Sequence, residues 1–150
     1  EFRRVLFRSE LLSLAAGVAR CAHGPSVAYR QNECMPSADE VIARIRFNDA
    51  GLVPAVAQQW DSREVLMLAW MDEAAVRETL ATGRGVYFSR SRGERWAKGD
   101  TSGNVQQVRE LRLDCDGDTV LLLVDQQGPA CHTGDRTCFD AHAALPQASL

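Results

Sequence analysis

At 150 residues the chain is one domain's worth of protein, and its 45% hydrophobic and 25% charged residues exclude a largely disordered polypeptide. Seventeen Lys+Arg against 20 Asp+Glu, a net charge of −3, exclude a generalised nucleic-acid-binding surface while leaving room for a local basic pocket that takes phosphates. No apolar run approaches the roughly 18 residues of a transmembrane helix, so no membrane partner is expected.

The charge is uneven. Residues 1–34 hold five Arg against three Glu, whereas residues 35–150 hold 12 basic and 17 acidic residues. An Arg-rich leader followed by an apolar stretch at 11–19 has some marks of a targeting peptide. The run Arg3-Arg4-Val5-Leu6-Phe7-Arg8-Ser9 reads better as a sequencing-library adapter translated in frame. Met35, followed by Pro36-Ser37-Ala38-Asp39-Glu40, is then the expected initiator. Residues 1–34 are accordingly read as a non-native or disordered leader and 35–150 as the folded domain. Cys21, Cys34 and His23 leave the functional argument with the leader.

Along the domain, residues 45–47 are a short strand candidate, with turn chemistry after them in Asn48-Asp49-Ala50-Gly51. Residues 52–60 read as a second strand, with Pro54 placing its start at an edge or bulge. Residues 65–70 form a nearly continuous apolar run, the pattern of a strand buried on both faces. Asp72 opens the clearest helix as its cap. Met71 and Val76 stand at hydrophobic-staple positions, Val76 and Leu80 share a face, and Gly83 is placed to end the helix in the left-handed conformation. Residues 86–89 are another strand. Residues 105–113 and 119–125 read as a hairpin turning near Asp116-Gly117. The expected fold is α+β: a single β-rich domain with one main helix.

Three cysteines remain: Cys115, Cys131 and Cys138. An odd number makes no tidy disulfide framework. Three thiolates plus a water would make a tetrahedral zinc site with one open position, although the spacing C-x15-C-x6-C is not that of a zinc finger. Small buried thiols are the competing reading. Asp114-Cys115-Asp116-Gly117-Asp118 sets three carboxylates around one cysteine, a hard donor set suited to Mg²⁺ or simply a solvated acidic turn. His132 lies beside Cys131, and an imidazole there is either structural or a proton carrier near neutral pH. Arg90, Arg92 and the run Trp96-Ala97-Lys98-Gly99-Asp100-Thr101-Ser102-Gly103-Asn104 offer cations, hydroxyls and glycine-exposed amides, either a phosphate cradle or a solvated basic loop. The spacing excludes a nucleotide-hydrolysing P-loop.

Taken in order, the 96–104 run, the 114–118 turn, and Gly128-Pro129-Ala130-Cys131-His132-Thr133-Gly134 with Thr137-Cys138-Phe139 resemble the phosphoribosyl-AMP cyclohydrolase family of histidine biosynthesis. The likeness runs from about Arg44 to Phe139 and takes in Leu52-Val53-Pro54-Ala55. It implies a cytoplasmic, zinc-dependent homodimer that opens the adenine ring of 1-(5-phosphoribosyl)-AMP between N1 and C6. By the same resemblance Cys115, Cys131 and Cys138 match zinc ligands. Asp114, Asp116 and Asp118 match magnesium ligands, and His132 matches the proton-transfer residue. Arg90, Arg92, Trp96, Lys98, Thr101, Ser102, Gly103 and Asn104 are the expected substrate-binding set. The resemblance also implies zinc sites shared between the two chains, and with Cys115 by a hairpin tip and the other two cysteines in one later loop, the two groups need not meet within a subunit. Asp100 departs from the family's usual glutamate, Arg95 from a leucine and Asp140 from an aromatic, and none of these removes an expected ligand. The alternative is a non-enzymatic binding module with a closed structural zinc site, which leaves no water to activate.

Removing residues 1–34 is expected to leave the melting temperature of the domain unchanged by calorimetry. A fall of more than about 4 °C, the shift that roughly 1 kcal/mol brings in a domain of this size, would show that the leader packs on the fold.

Overall fold

The computed structural model describes residues 36–140, and the expectations for the leader lie outside them. Strand β1 (Leu52–Gln59) and strand β2 (Val65–Asp72) form an antiparallel hairpin. A short helix α1 (Ala38–Ile42) precedes them, and the main helix α2 (Glu73–Thr82) comes next. Then come β3 (Val86–Ser89), β4 (Glu94–Ala97), β5 (Gln106–Leu113) and β6 (Val120–Gln126). The six strands make one sheet in the order β4-β3-β2-β1-β6-β5, antiparallel except for the parallel β1–β6 pair. The domain is therefore β-rich with few helices, as the sequence suggests.

Helix α2 forms where expected and for the expected reasons. The Asp72 carboxylate accepts from the Ala75 amide at 2.7 Å, and Gly83 closes the helix at φ 68°. Met71 and Val76 are both fully buried. The buried stripe of α2 is Ala75, Val76 and Thr79, however, and Leu80 lies at its margin, 37% exposed.

Four expectations are corrected. Residues 45–47 are not a strand. The Ile45 amide closes a turn on Ile42, and the Arg46 amide donates to the Gly117 carbonyl at 2.7 Å, so no neighbouring strand is left to form a ladder. Strand β2 is not buried on both faces, because the sheet covers only one of them: Leu66, Met67 and Met71 are buried, while Val65 is 41% and Leu68 51% exposed. Strand β1 lies mid-sheet rather than at an edge. Pro54 is tolerated because the β6 ladder begins only at Ala55, so no N–H is missed there. Within the segment read as a basic loop, Glu94–Ala97 is strand β4, paired with β3 from Val86↔Ala97 to Ser89↔Glu94. Helix α1 is an addition to the expected elements, started by a reciprocal capping box between Ser37 and Glu40.

The sheet curls until its two ends meet. The Gly85 amide donates to the Gln106 carbonyl at 3.0 Å and the Val108 amide to the Gly83 carbonyl at 2.7 Å, with Arg84 bridged to Gln107. Strand β5 is thereby joined to the chain entering β3. Inside this seam the Tyr87 hydroxyl donates to Gln106 Oε1 at 2.5 Å, and Gln106 Nε2 donates to Gln126 Oε1 at 2.8 Å. The Gln126 amide in turn donates to Gln59 Oε1 at 3.1 Å. Among the described residues no buried side-chain nitrogen or oxygen is left without a partner. Burial raises the Tyr87 pKa, so the phenol stays protonated and remains the donor.

Tyr87→Phe is expected to destabilise the protein by ~1–3 kcal/mol in denaturant unfolding, because it strips the partner from a buried amide oxygen. A loss below a few tenths of a kcal/mol would mean that the Gln106 amide finds another donor.

Candidate functional site

Strand β6 leads directly to the cysteine loop. The chain from Gly128 to Cys138 folds back at the end where β1 finishes and β2 begins. Two bonds hold it there and a third closes it on itself. The Cys138 amide donates to the Leu66 carbonyl at 2.8 Å, the Arg136 guanidinium meets Glu64 at 3.0 Å, and the Ala130 amide closes on the Arg136 carbonyl at 3.2 Å. The β2–β3 ladder is a single pairing, Trp70↔Phe88, so the Leu66 carbonyl lies beyond it and is available to Cys138. Ala130 and Cys131 are buried, and Ala130 belongs to the core.

Cys131, His132, Thr133 and Gly134 make a tight turn, with the Gly134 amide on the Cys131 carbonyl at 3.2 Å. The Thr133 hydroxyl lies 3.0 Å from Cys131 Sγ and 2.6 Å from an Asp135 oxygen. That hydroxyl, and then the Thr133 amide, hold the Cys131 thiol below its ordinary pKa. Burial pushes Cys138 the other way, helped by its neighbour Cys131. The two thiols are thus adjacent, and a pair of soft sulfur donors of this kind suits a thiophilic cation such as zinc.

A cleft of about 460 Å³ opens beside the thiol pair. Lys98, Thr101, Ser102, His132 and Cys138 line it, together with Trp96 and Arg92. Lys98 is only 8% exposed. Desolvation lowers the pKa of its ammonium, while Cys138 and Cys131 act to raise it again. Trp96 packs on Tyr87 with ring centroids 5.3 Å apart, which ties one wall of the cleft to the buried seam. His132 Nδ1 lies 3.9 Å from Cys131 Sγ, at the mouth.

Other expected residues lie elsewhere. Gly103 and Asn104 are not in the lining: the Asn104 side chain packs against Gly128, and its carbonyl accepts from Gln126 Nε2 at 3.4 Å. The Arg90 guanidinium stacks 4.8 Å over the Trp70 ring, on the outer face of the sheet. Asp114, Asp116 and Asp118 do gather, with carboxylate oxygens all within 4.8 Å of one another and all three residues exposed. Desolvation alone would raise Asp114, but amides of Thr119 and Gly117 and the Asp118 side chain outweigh it and hold the carboxyl low. This hard-oxygen group fits a small divalent cation.

Cys115 shares the acidic turn, exposed, with its sulfur 3.9 Å from an Asp116 oxygen. Among the described residues the three thiols do not form one cluster. The acidic turn sits at the start of β6 beside Arg46, and the cysteine loop leaves from the other end of that seven-residue strand. At ~3.3 Å per residue the strand sets about 20 Å between them. Two residues of the site escape sequence reasoning, Arg84 and Thr133. The first carries no motif, and the second reads only as a turn residue.

A family model described as phosphoribosyl-AMP cyclohydrolase matches residues 67–140. Relatives that carry the same name agree with it. The protein from Leifsonia xyli subsp. xyli is 59% identical over 112 residues, covering 75% of this chain and 90% of its own. That from a Nocardioides species is 65% identical over 108 residues, covering 71% and 88%. That from Frankia alni is 67% identical over 108 residues, covering 71% and 82%.

Proposed function

Because the chain belongs to the phosphoribosyl-AMP cyclohydrolase family, we propose that it hydrolyses the N1–C6 bond of the adenine ring in 1-(5-phosphoribosyl)-AMP, a step of histidine biosynthesis. The observation that carries this reading is the single cleft in which Cys138, His132, Lys98, Thr101 and Ser102 meet. It holds a soft metal ligand, a proton carrier and an anion cradle within one substrate-sized space.

In this reading Cys131 and Cys138 hold zinc, with Cys115 of the partner subunit as the third thiolate. Zinc, when bound, supplies the Lewis acidity that makes a water nucleophilic near neutral pH. Asp114, Asp116 and Asp118 would hold magnesium, whose charge would offset that of substrate phosphate. The water oxygen adds at C6, the C6–N1 bond breaks, and N1 takes up a proton, so that C6 leaves as a carboxamide carbon. His132 is the group at the mouth of the cleft that takes a proton from the water and returns one at N1. Lys98, with the hydroxyls of Thr101 and Ser102, binds one phosphate, and Arg92 of the same lining takes the other. Trp96 gives the adenine a flat apolar wall.

The shared site rests on the distance between Cys115 and the other two thiols, and on the outer face of the sheet. Val56, Leu68, Trp70 and Leu121 form an apolar surface there, with Leu68 51% exposed. Phe139, next to Cys138, is 59% exposed. A second copy related by a two-fold axis would cover that face and bring each acidic turn to the other chain's cleft.

The test is turnover of 1-(5-phosphoribosyl)-AMP by the purified, zinc-loaded protein, read as ring opening; no turnover would leave a structural zinc site in a binding module. Replacing His132 by Asn is expected to keep zinc content while lowering kcat by roughly 10²–10⁴, the usual weight of acid–base catalysis. Loss of zinc would instead make His132 a ligand. Cys115→Ser and Cys138→Ser should each be nearly inactive, yet co-refolding them should return about a quarter of wild-type activity, because half of randomly mixed dimers carry one intact site. Mixed dimers confirmed by mass but without recovery would place the zinc site within one chain.

A further inference from the structure

Arg84 takes no part in the proposed chemistry, yet it grips the loop that carries the anion cradle. Its Nη2 donates to the Lys98 carbonyl at 3.1 Å and pairs with Asp100 Oδ1 at 2.7 Å. Those two acceptors flank Gly99. There the backbone runs at φ 93° with Asn104 and Val105 so close that a side chain would collide with their main chain. Beyond it the Gly103 amide returns to the Gly99 carbonyl at 2.8 Å, making a closed turn. The amides of Thr101 and Ser102, at the crest of that turn, have no partner among the described residues. Two free N–H groups and two hydroxyls on one tight turn are what a phosphate oxygen needs. An unneutralised Asp100 carboxylate, which lines the same cleft, would oppose it.

We propose that Arg84 is a positioning residue for substrate phosphate: it pins the 98–103 turn from outside the cleft and neutralises Asp100, so that the turn presents donors rather than net negative charge. The inference rests on the reading of the cleft as a phosphoribosyl-nucleotide site. Backbone geometry gives Arg84 its leverage. It is the bridged residue of the seam that joins β5 to the chain entering β3, so its guanidinium starts from a fixed point. An exposed ion pair contributes little to stability, and Asp100 is 58% exposed. The effect therefore belongs to binding rather than to folding.

The experiment compares Arg84→Met, Arg84→Lys and the double variant Arg84→Met/Asp100→Asn in the full-length zinc-loaded protein. It reads KM and kcat with 1-(5-phosphoribosyl)-AMP, the dissociation constant of adenosine 5′-monophosphate by calorimetry, and the melting temperature. Arg84→Met should raise both KM and the adenosine monophosphate dissociation constant roughly tenfold, the factor that about 1.4 kcal/mol of lost binding gives, with kcat little changed. Arg84→Lys should recover part of the loss, since an ammonium supplies the charge without the two-point grip. Removing the bared carboxylate in the double variant should recover more. Unchanged affinity in a folded Arg84→Met protein would overturn the proposal. So would a lower melting temperature with unchanged affinity, which marks Arg84 as seam stabilisation only, or a fall confined to kcat. Wild-type protein that binds adenosine monophosphate in the expected Arg84-dependent way, yet never opens the ring, would uphold the positioning role and sink the proposed reaction instead.

Discussion

Tyr87, Gln59, Gln106 and Gln126 are four polar side chains buried where a curled sheet draws its two ends together, and the surrounding structure keeps them paired. Each amide that lost its partner in this place would cost ~1–3 kcal/mol, a large share of what a domain this size has in reserve. The pairs also specify register. Gln106 begins β5 and Gln126 ends β6, and they stand directly opposite each other in the β5–β6 ladder. A one-residue slip of β5 would send Gln106 outward and leave the Tyr87 hydroxyl and the Gln126 amide without their partner in the core. Trp96 leans on Tyr87 and Asn104 hands its carbonyl to Gln126. The seam therefore sets one wall of the cleft and the root of the loop above it.

The parallel β1–β6 pair has the second large consequence. Because β6 runs beside β1 in the same direction, the chain leaving β6 emerges where β1 ends and β2 begins. The chain entering β6 lies where β1 starts. The cysteine loop is accordingly held by Leu66 and Glu64, and the acidic turn by Arg46. Topology, not loop flexibility, keeps Cys115 from Cys131 and Cys138. Among the described residues the three thiols therefore do not converge on one position within the chain.

Much of this was legible in the residues. Asp72 and Gly83 bracket α2 because a cap and a left-handed stop are local chemistry, complete within a few residues of sequence. The β5–β6 hairpin shows itself through its turn, and the family through the order of the motifs that resemble it. Long-range partners were not legible. Residues 45–47 have the composition of a strand but spend their amides on Ile42 and Gly117, a choice made by an acidic turn far along the chain. The apolar run in β2 signals burial, yet cannot say that Leu68 awaits a surface outside the chain. Asn104 sits inside a motif whose Lys98, Thr101 and Ser102 line the cleft, yet it serves as a strut. Arg84 is one arginine among many until the fold sets Lys98 and Asp100 beside it.

The charges around the cleft explain how a chain of net charge −3 can receive a polyanion. Arg92 is paired with Glu94 at 2.8 Å and Arg84 with Asp100 at 2.7 Å, so two of the cations near the cleft are already matched. Among the described residues Lys98 makes no salt bridge, and it is the most buried cation of the group. Desolvation makes its charged form costly, and an arriving phosphate would relieve that cost by supplying counter-charge. A paired surface arginine offers an incoming anion much less, because it must first give up its own carboxylate. Net charge thus governs the surface at large, whereas the cleft keeps one ammonium largely out of water and, among the described residues, without a carboxylate partner.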